Sequence, residues 1–168
     1  MEELTIVDGY NVINYHPIYK KMKDVDLELT RVRLIEDLAD FKALSGGEIV
    51  VVFDALSSNI NTEKRNKILG IEVIFTKKGQ TADTLIEKIA LDEIEKRKVV
   101  VVTSDYATQR VVFSKGVYRK SSLGFLSEIG ELKKESAEQI RKTPSSRVFL
   151  EDRIDKKIKN ALRKMILD

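Results

Sequence analysis

The chain predicts an α/β fold, a three-layer sandwich with a parallel sheet held between helices. Two observations carry that prediction. Short runs rich in β-branched residues recur without strict alternation, as strands buried on both faces do. Between them, apolar residues repeat near every 3.6 positions, as in helices that cross over a sheet.

The strand runs are residues 4–7 (LTIV), 48–53 (EIVVVF), 71–75 (IEVIF) and 99–102 (VVVV), with 116–119 (GVYR) a weaker fifth. The first long helical pattern covers 27–44 through Leu27, Leu34, Ile35, Leu38 and Phe41, with Val32 or Arg31 on the same face, and Gly46-Gly47 closes it. A second covers 81–97, with Leu85, Ile86, Ile89, Ala90 and Ile94 in period, and a short one is expected over 105–114 before Gly116. The last third reads as two helices, 123–141 and 149–167, separated by a turn at 143–146 that contains Pro144. No repeat, low-complexity tract or long linker divides the chain, so residues 1–168 are expected to form a single domain that includes the C-terminal helices 123–168.

Composition narrows the chemistry. Of 168 residues, 42% are hydrophobic and 34% charged, enough for a core and too evenly spread for a disordered tail. With no cysteine and one histidine, His16, a disulfide scaffold, a thiolate zinc site and a multi-histidine metal centre are excluded. His16, before Pro17, reads as a loop residue more readily than as a catalytic base or substrate contact. No apolar run approaches the about 18 residues of a membrane span, and the acidic start Met1-Glu2-Glu3 lacks the basic flank of a secretory signal. The expected compartment is the cytoplasm. Residues 1–105 carry 15 Lys/Arg against 19 Asp/Glu, and residues 106–168 carry 15 against 8. The net +3 therefore divides into an acidic part and a basic part, which is compatible with an anion-binding surface or with well-solvated helices.

The informative acids follow strands. Asp8 comes directly after 4–7, Asp54 directly after 48–53, and Asp105 after 99–102 and the pair Thr103-Ser104. In an open α/β sheet, ligands bind outside the carboxyl ends of the strands, so these three carboxylates are expected at one rim. Asp83, at the start of helix 81–97 after the loop Lys77-Lys78-Gly79-Gln80, is a fourth candidate for that rim. Each acid also has a local explanation. Asp83 suits a helix N-terminus, Asp105 and Asp54 suit caps, and Asp8-Gly9 suits a turn. Taken together, four clustered carboxylates need a cation. Oxygen donors without His or Cys point to Mg²⁺ or Mn²⁺, ions suited to phosphodiester chemistry. Gly9 permits close approach of another group, and Asn11 is placed to bring its amide to the rim, or to serve as a turn or cap residue.

The string Asp8-Gly9-Tyr10-Asn11-Val12-Ile13 after an apolar strand resembles the opening motif of NYN-domain ribonucleases, a branch of the PIN-like nucleases. Three further stations agree in order: Val52-Phe53-Asp54-Ala55, Gln80-Thr81-Ala82-Asp83-Thr84-Leu85-Ile86-Glu87, and Val102-Thr103-Ser104-Asp105-Tyr106-Ala107-Thr108-Gln109. The chain is most similar to the bacterial YacP-like family, over nearly its whole length. The resemblance implies a PIN-like sandwich with about five parallel strands and metal-dependent endonucleolytic cleavage of single-stranded RNA. It further implies that the RNA is mRNA and that cleavage takes place in association with the ribosome. It makes Asp8, Asp83 and Asp105 metal-binding acids, with Asp54 at a fourth acidic position, and places Asn11 and Ser104 in the same pocket. The basic excess then has a use. Arg110, Lys115, Arg119 and Lys120 are placed to neutralise RNA phosphates, and Tyr10, Tyr15 and Tyr106 to stack on bases. The alternative is a non-catalytic RNA- or ribosome-binding module of the same fold. A phosphatase or phosphoacceptor domain of the phosphoaspartate kind is disfavoured because one acid, not two, follows the first strand, and a nucleotide-binding fold because the phosphate-binding glycine motifs are absent.

Overall fold

The computed structural model describes residues 2–55, 61–105, 116–141 and 151–167. Six strands, β1 (Glu3–Asp8), β2 (Glu48–Phe53), β3 (Lys64–Ile68), β4 (Ile71–Phe75), β5 (Lys98–Val102) and β6 (Tyr118–Lys120), form one sheet. The described helices are α1 (Gly9–Tyr15), α2 (Pro17–Val25), α3 (Leu27–Ser45), α4 (Ala82–Glu93), α5 (Ser122–Arg141) and α6 (Glu151–Leu167). The short helix expected over 105–114 and the turn at 143–146 lie outside the described residues, apart from Asp105 itself.

The spatial order is β3-β4-β2-β1-β5-β6. All neighbours are parallel except β3, which pairs antiparallel with β4. Sequence order therefore runs outward from β1 through β2 to β4 on one side, and through β5 to β6 on the other. The reversal falls between β1 and β5. In doubly wound sheets, such a reversal opens a crevice at the carboxyl ends of the strands.

Alternation along the strands separates two cores. Val7, Ile49, Val51, Phe53, Val73 and Phe75 face one way and pack with α1, α2, α3, α5 and α6. Leu4, Ile6, Val50, Val52, Val99 and Val101 face the other way and pack with α4 through Ala82, Leu85, Ile86 and Ala90. The sandwich is the one expected. Phe125 and Ile129 of α5, with Ile158, Leu162 and Met165 of α6, are buried in the first core, so both C-terminal helices pack on the body.

Three elements escape the sequence pattern. Strand β3 is an edge strand of sequence KRNKI in which only Ile68 is buried, so it lacks the apolar signature of its neighbours. Lys and Arg on such an edge also oppose pairing with another chain. The hairpin to β4 turns through Leu69 and Gly70, both at positive φ (50° and 80°), as a two-residue turn matched to strand twist requires. Helices α1 and α2 are short and meet at His16. Its backbone ends α1, and its Nδ1 accepts from the amides of Ile18 (3.2 Å) and Tyr19 (3.4 Å) to cap α2, with Pro17 in the first turn. The ring lies 4.6 Å from that of Tyr19, and burial holds its pKa below the usual histidine value. His16 is thus a helix junction. Helix α4 is shorter than its periodicity suggests, because the chain turns after Glu93, where the amides of Lys96 and Arg97 both donate to the Glu93 carbonyl.

Candidate active site

Each acid of the rim is placed by local backbone chemistry. Asp8 ends β1 and caps α1, its Oδ1 accepting from the Asn11 amide at 3.3 Å. The tight entry into α1 depends on Gly9, where a Cβ would stand 2.3 Å from Cε1 of Phe53. The close approach permitted by Gly9 is therefore that of the Phe53 ring. Asp54 follows β2, and its Oδ1 accepts from the Ala82 amide at 2.6 Å, at the first residue of α4. Thr81 caps the same helix through the Thr84 amide, and Asp83 lies in its first turn. Asp105 follows β5, its amide donating to Thr103 Oγ1 at 3.1 Å. The Thr103 hydroxyl also lies 3.5 Å from Asp8 Oδ2, bridging the two strand ends across the reversal point.

The acids sense one another. Asp8 is 8% exposed, and its pKa is raised to about 7. Burial is the largest cause; the Asn11 amide opposes it, and the charges of Asp83, Asp54 and Asp105 push it further up. The fold thus brings the four predicted acids within electrostatic reach at one end of the sheet. They do not form a ready-made cage, since among the described residues no three acidic or histidine side chains converge closely enough to hold a metal ion. The donor set nonetheless suits a hydrated hard cation, which keeps several waters and takes only one or two carboxylates directly.

Asn11 and Ser104, expected in one pocket, are directly bonded. Asn11 Oδ1 accepts from the Ser104 amide (2.9 Å) and the Ser122 hydroxyl (2.7 Å), while Ser104 Oγ accepts from the Ser122 amide (3.0 Å). Asn11, Ser104 and Ser122 form a clasp joining α1, the loop after β5 and the start of α5. The Tyr10 ring lies 5.1 Å from Phe53, and its hydroxyl accepts from Arg31 Nε (3.0 Å) and Nη2 (2.6 Å). Tyr15 is exposed, whereas Tyr106, Arg110 and Lys115 lie outside the described residues. Lys120 is held by Glu128 at 2.7 Å, and Arg119 also has an interaction partner.

Sequence reasoning missed three residues here. Thr103 carries no signal in the sequence beyond its place between β5 and Asp105. Ser122 stands just before the helix expected from 123 and carries none. Arg31, only 6% exposed, lies over both Tyr10 and Phe75 with its guanidinium 5.6 Å from each ring centre. A charged residue on the apolar face of α3 was the available sign.

This fold has known counterparts. Residues 5–166 match the YacP-like NYN domain family. The chain is 36% identical to YacP of Bacillus subtilis (strain 168) over 147 residues, covering 86% of this chain and 85% of that one. A crystal structure of Rae1 (YacP) from Bacillus subtilis superposes with a TM-score of 0.70 at 34% identity, covering 99% of this chain and 91% of the other. A mutant form gives 0.72 at 33% identity, covering 90% and 89%. The protein belongs to the YacP-like NYN family, a nuclease-type family. No helix among the described residues is long and apolar enough to cross a membrane.

Proposed function

We propose that the protein is a Mg²⁺- or Mn²⁺-dependent endoribonuclease that cuts single-stranded RNA, with mRNA on the ribosome as its cytoplasmic substrate. The observation that carries this reading is that three further carboxylates, Asp54, Asp83 and Asp105, act electrostatically on buried Asp8 from separate elements at one end of the sheet. Such a concentration of like charge is costly unless a cation is bound there. The entire chain, 1–168, is taken as the working domain, because α5 and α6 share the core that backs the rim.

In this reading Asp8, Asp83 and Asp105 would hold the hydrated ion, one or two of them directly and the rest through its waters, and Asp54, whose Oδ1 fixes α4, would add its charge. When bound, the ion supplies charge stabilisation to a phosphoryl oxygen and lowers the pKa of an attacking water. The protein's own part is positioning. Thr103 ties the ends of β1 and β5 together, and the Asn11–Ser104–Ser122 clasp holds the loop that carries Asp105. The Asn11 side-chain amide, which has no partner among the described residues, remains available to a substrate oxygen. Tyr10, locked by Arg31, offers the rim a fixed ring edge. Arg119 and Lys120 remain proposed phosphate contacts, Lys120 by exchanging Glu128 for a phosphate, and Arg110 and Lys115 complete that set.

The test is cleavage of mRNA with and without translating ribosomes, in Mg²⁺, Mn²⁺ or EDTA. Asp8→Asn and Asp83→Asn should each abolish cutting while RNA binding persists. Cutting by the double Asn variant at the wild-type rate, or no cutting by the wild type in either setting, would transfer the chain to the alternative of a binding module. Cutting only on the ribosome would keep the site catalytic and assign specificity to the ribosome.

A further inference from the structure

An acidic rim repels the polyanion it is proposed to cut, so cations must line the path by which RNA arrives. The two edges of the sheet differ in what they offer. At the β6 edge, Lys120 Nζ is neutralised by Glu128. At the β3 edge, Lys64 and Lys67 make no ion pair among the described residues, although the charge of Lys67 is felt by Glu48 and Arg65 between them is bound to Glu63 and Glu72. The loop after β4 adds Lys77 and Lys78, both exposed and neither in an ion pair among the described residues.

Register connects these lysines to the rim. Lys64 is opposite Phe75, and Phe75 is opposite Phe53, the residue before Asp54. Two strand spacings, about 10 Å, therefore separate the Lys64 backbone from the strand that delivers Asp54. Lys77 and Lys78 lie in the segment that leads from Phe75 to Asp83. From Lys64 the strand runs away from the rim to Lys67, which shares a shallow groove of about 360 Å³ with Lys157 of α6.

We propose that Lys77, Lys78, Lys64, Lys67 and Lys157 form a phosphate-binding track that carries single-stranded RNA off the acidic rim across the β3–β4 edge. The inference rests on the RNA-cleaving reading for its polymer and adds the direction that polymer takes. Charge complementarity selects the occupant. The track is a row of separated ammonium groups, none of them in an ion pair among the described residues, beside a cluster of carboxylates, which fits a flexible polyanion and disfavours an acidic protein surface needing a broad, matched face.

The experiment measures binding of a labelled 20-nucleotide oligouridylate to the full chain in EDTA, over a range of salt. Binding by the wild type should weaken as salt rises. Lys64→Ala/Lys67→Ala/Lys77→Ala/Lys78→Ala should bind about tenfold or more weakly at 0.1 M salt and lower the salt slope by about 3, at about 0.7 per lost phosphate contact. Lys20→Ala/Lys21→Ala, exposed on α2, should change affinity less than twofold. A thermal melt checks folding, and Lys77→Glu/Lys78→Glu in the loop repeats the test without altering β3. The track is overturned if neither track variant binds more weakly than the α2 control, or if the wild type does not bind the RNA. A wild type that binds through the track but cuts nothing in Mg²⁺ or Mn²⁺ would retain the track and lose the nuclease reading. A wild type that cuts, with track variants that bind normally, would do the reverse.

Discussion

Asp54 accepts a hydrogen bond from the amide of Ala82 at 2.6 Å, so the acid that ends β2 anchors the helix that carries Asp83. Two of the four rim carboxylates are thereby coupled mechanically as well as electrostatically. A helix N-terminus has unsatisfied amides and a partial positive charge, and a carboxylate answers both.

This coupling separates two substitutions. Asp54→Ala should destabilise the fold by about 1 kcal/mol, the ordinary cost of a lost N-terminal capping acceptor, and should also reduce cleavage by loosening Asp83. Asp54→Asn keeps an acceptor oxygen and should retain most of the stability. Denaturant titration of both variants decides the point. Equal losses from Ala and Asn would mean that charge, not the Ala82 contact, is what Asp54 supplies.

Asp8 predicts an unusual pH dependence. Its folded pKa of about 7 lies above the usual 3.8, so the folded chain holds this proton more tightly than the unfolded one. Its contribution to stability is therefore lost as pH rises from about 4 to about 7, by at most roughly 4 kcal/mol for such a shift. In EDTA, Asp8→Asn should melt higher than wild type at pH 8 and close to it at pH 4. Divalent cations should narrow the gap at pH 8 by stabilising the wild type. A difference in melting temperature that is the same at both pH values would exclude this account.

Asn11→Ala should cost about 1–3 kcal/mol, because the Ser104 amide and the Ser122 hydroxyl lose their shared acceptor in a partly buried clasp. Asn11→Asp retains the acceptor but adds negative charge beside Asp8, so it should fold yet bind RNA more weakly. Unfolding curves combined with RNA titration distinguish the two effects.

Gly9→Ala should be poorly tolerated, because its Cβ would overlap the Phe53 ring. A cost of about 1–3 kcal/mol is typical of overpacking. Phe53→Leu in the same chain should recover part of it, and a double-mutant cycle measures the coupling. Additive costs would place the strain elsewhere.

The parallel strands, the long helices and the acids after β1, β2 and β5 were legible because their physics is local. Residues 48–53 and 71–75 are apolar enough to be buried wherever they land, and their bounds agree with β2 and β4. The helices α3 and α5 announce themselves by period and by punctuation such as Gly46-Gly47. Asp8 and Asp54 are carried to one rim by the rule that parallel strands end together. Strand β3 was not legible, because an edge strand needs only one bonded neighbour and buries one residue, Ile68. The junction at His16 was hidden for a related reason, since two short helices leave too few residues for a period to emerge.

Other properties belong to the folded chain alone. The sequence marks Tyr10, Asn11 and Lys120 as polar residues near the acids. Only the fold gives Tyr10 to Arg31, Asn11 to Ser104 and Ser122, and Lys120 to Glu128. The same holds for the Asp8 pKa, which depends on burial and on three charges from distant parts of the chain. Residue type and spacing determine which groups are available at the rim. Which of them are already committed to a partner is decided by contacts between residues as far apart as Asn11 and Ser122, because hydrogen bonding and desolvation act through space and no local pattern encodes them.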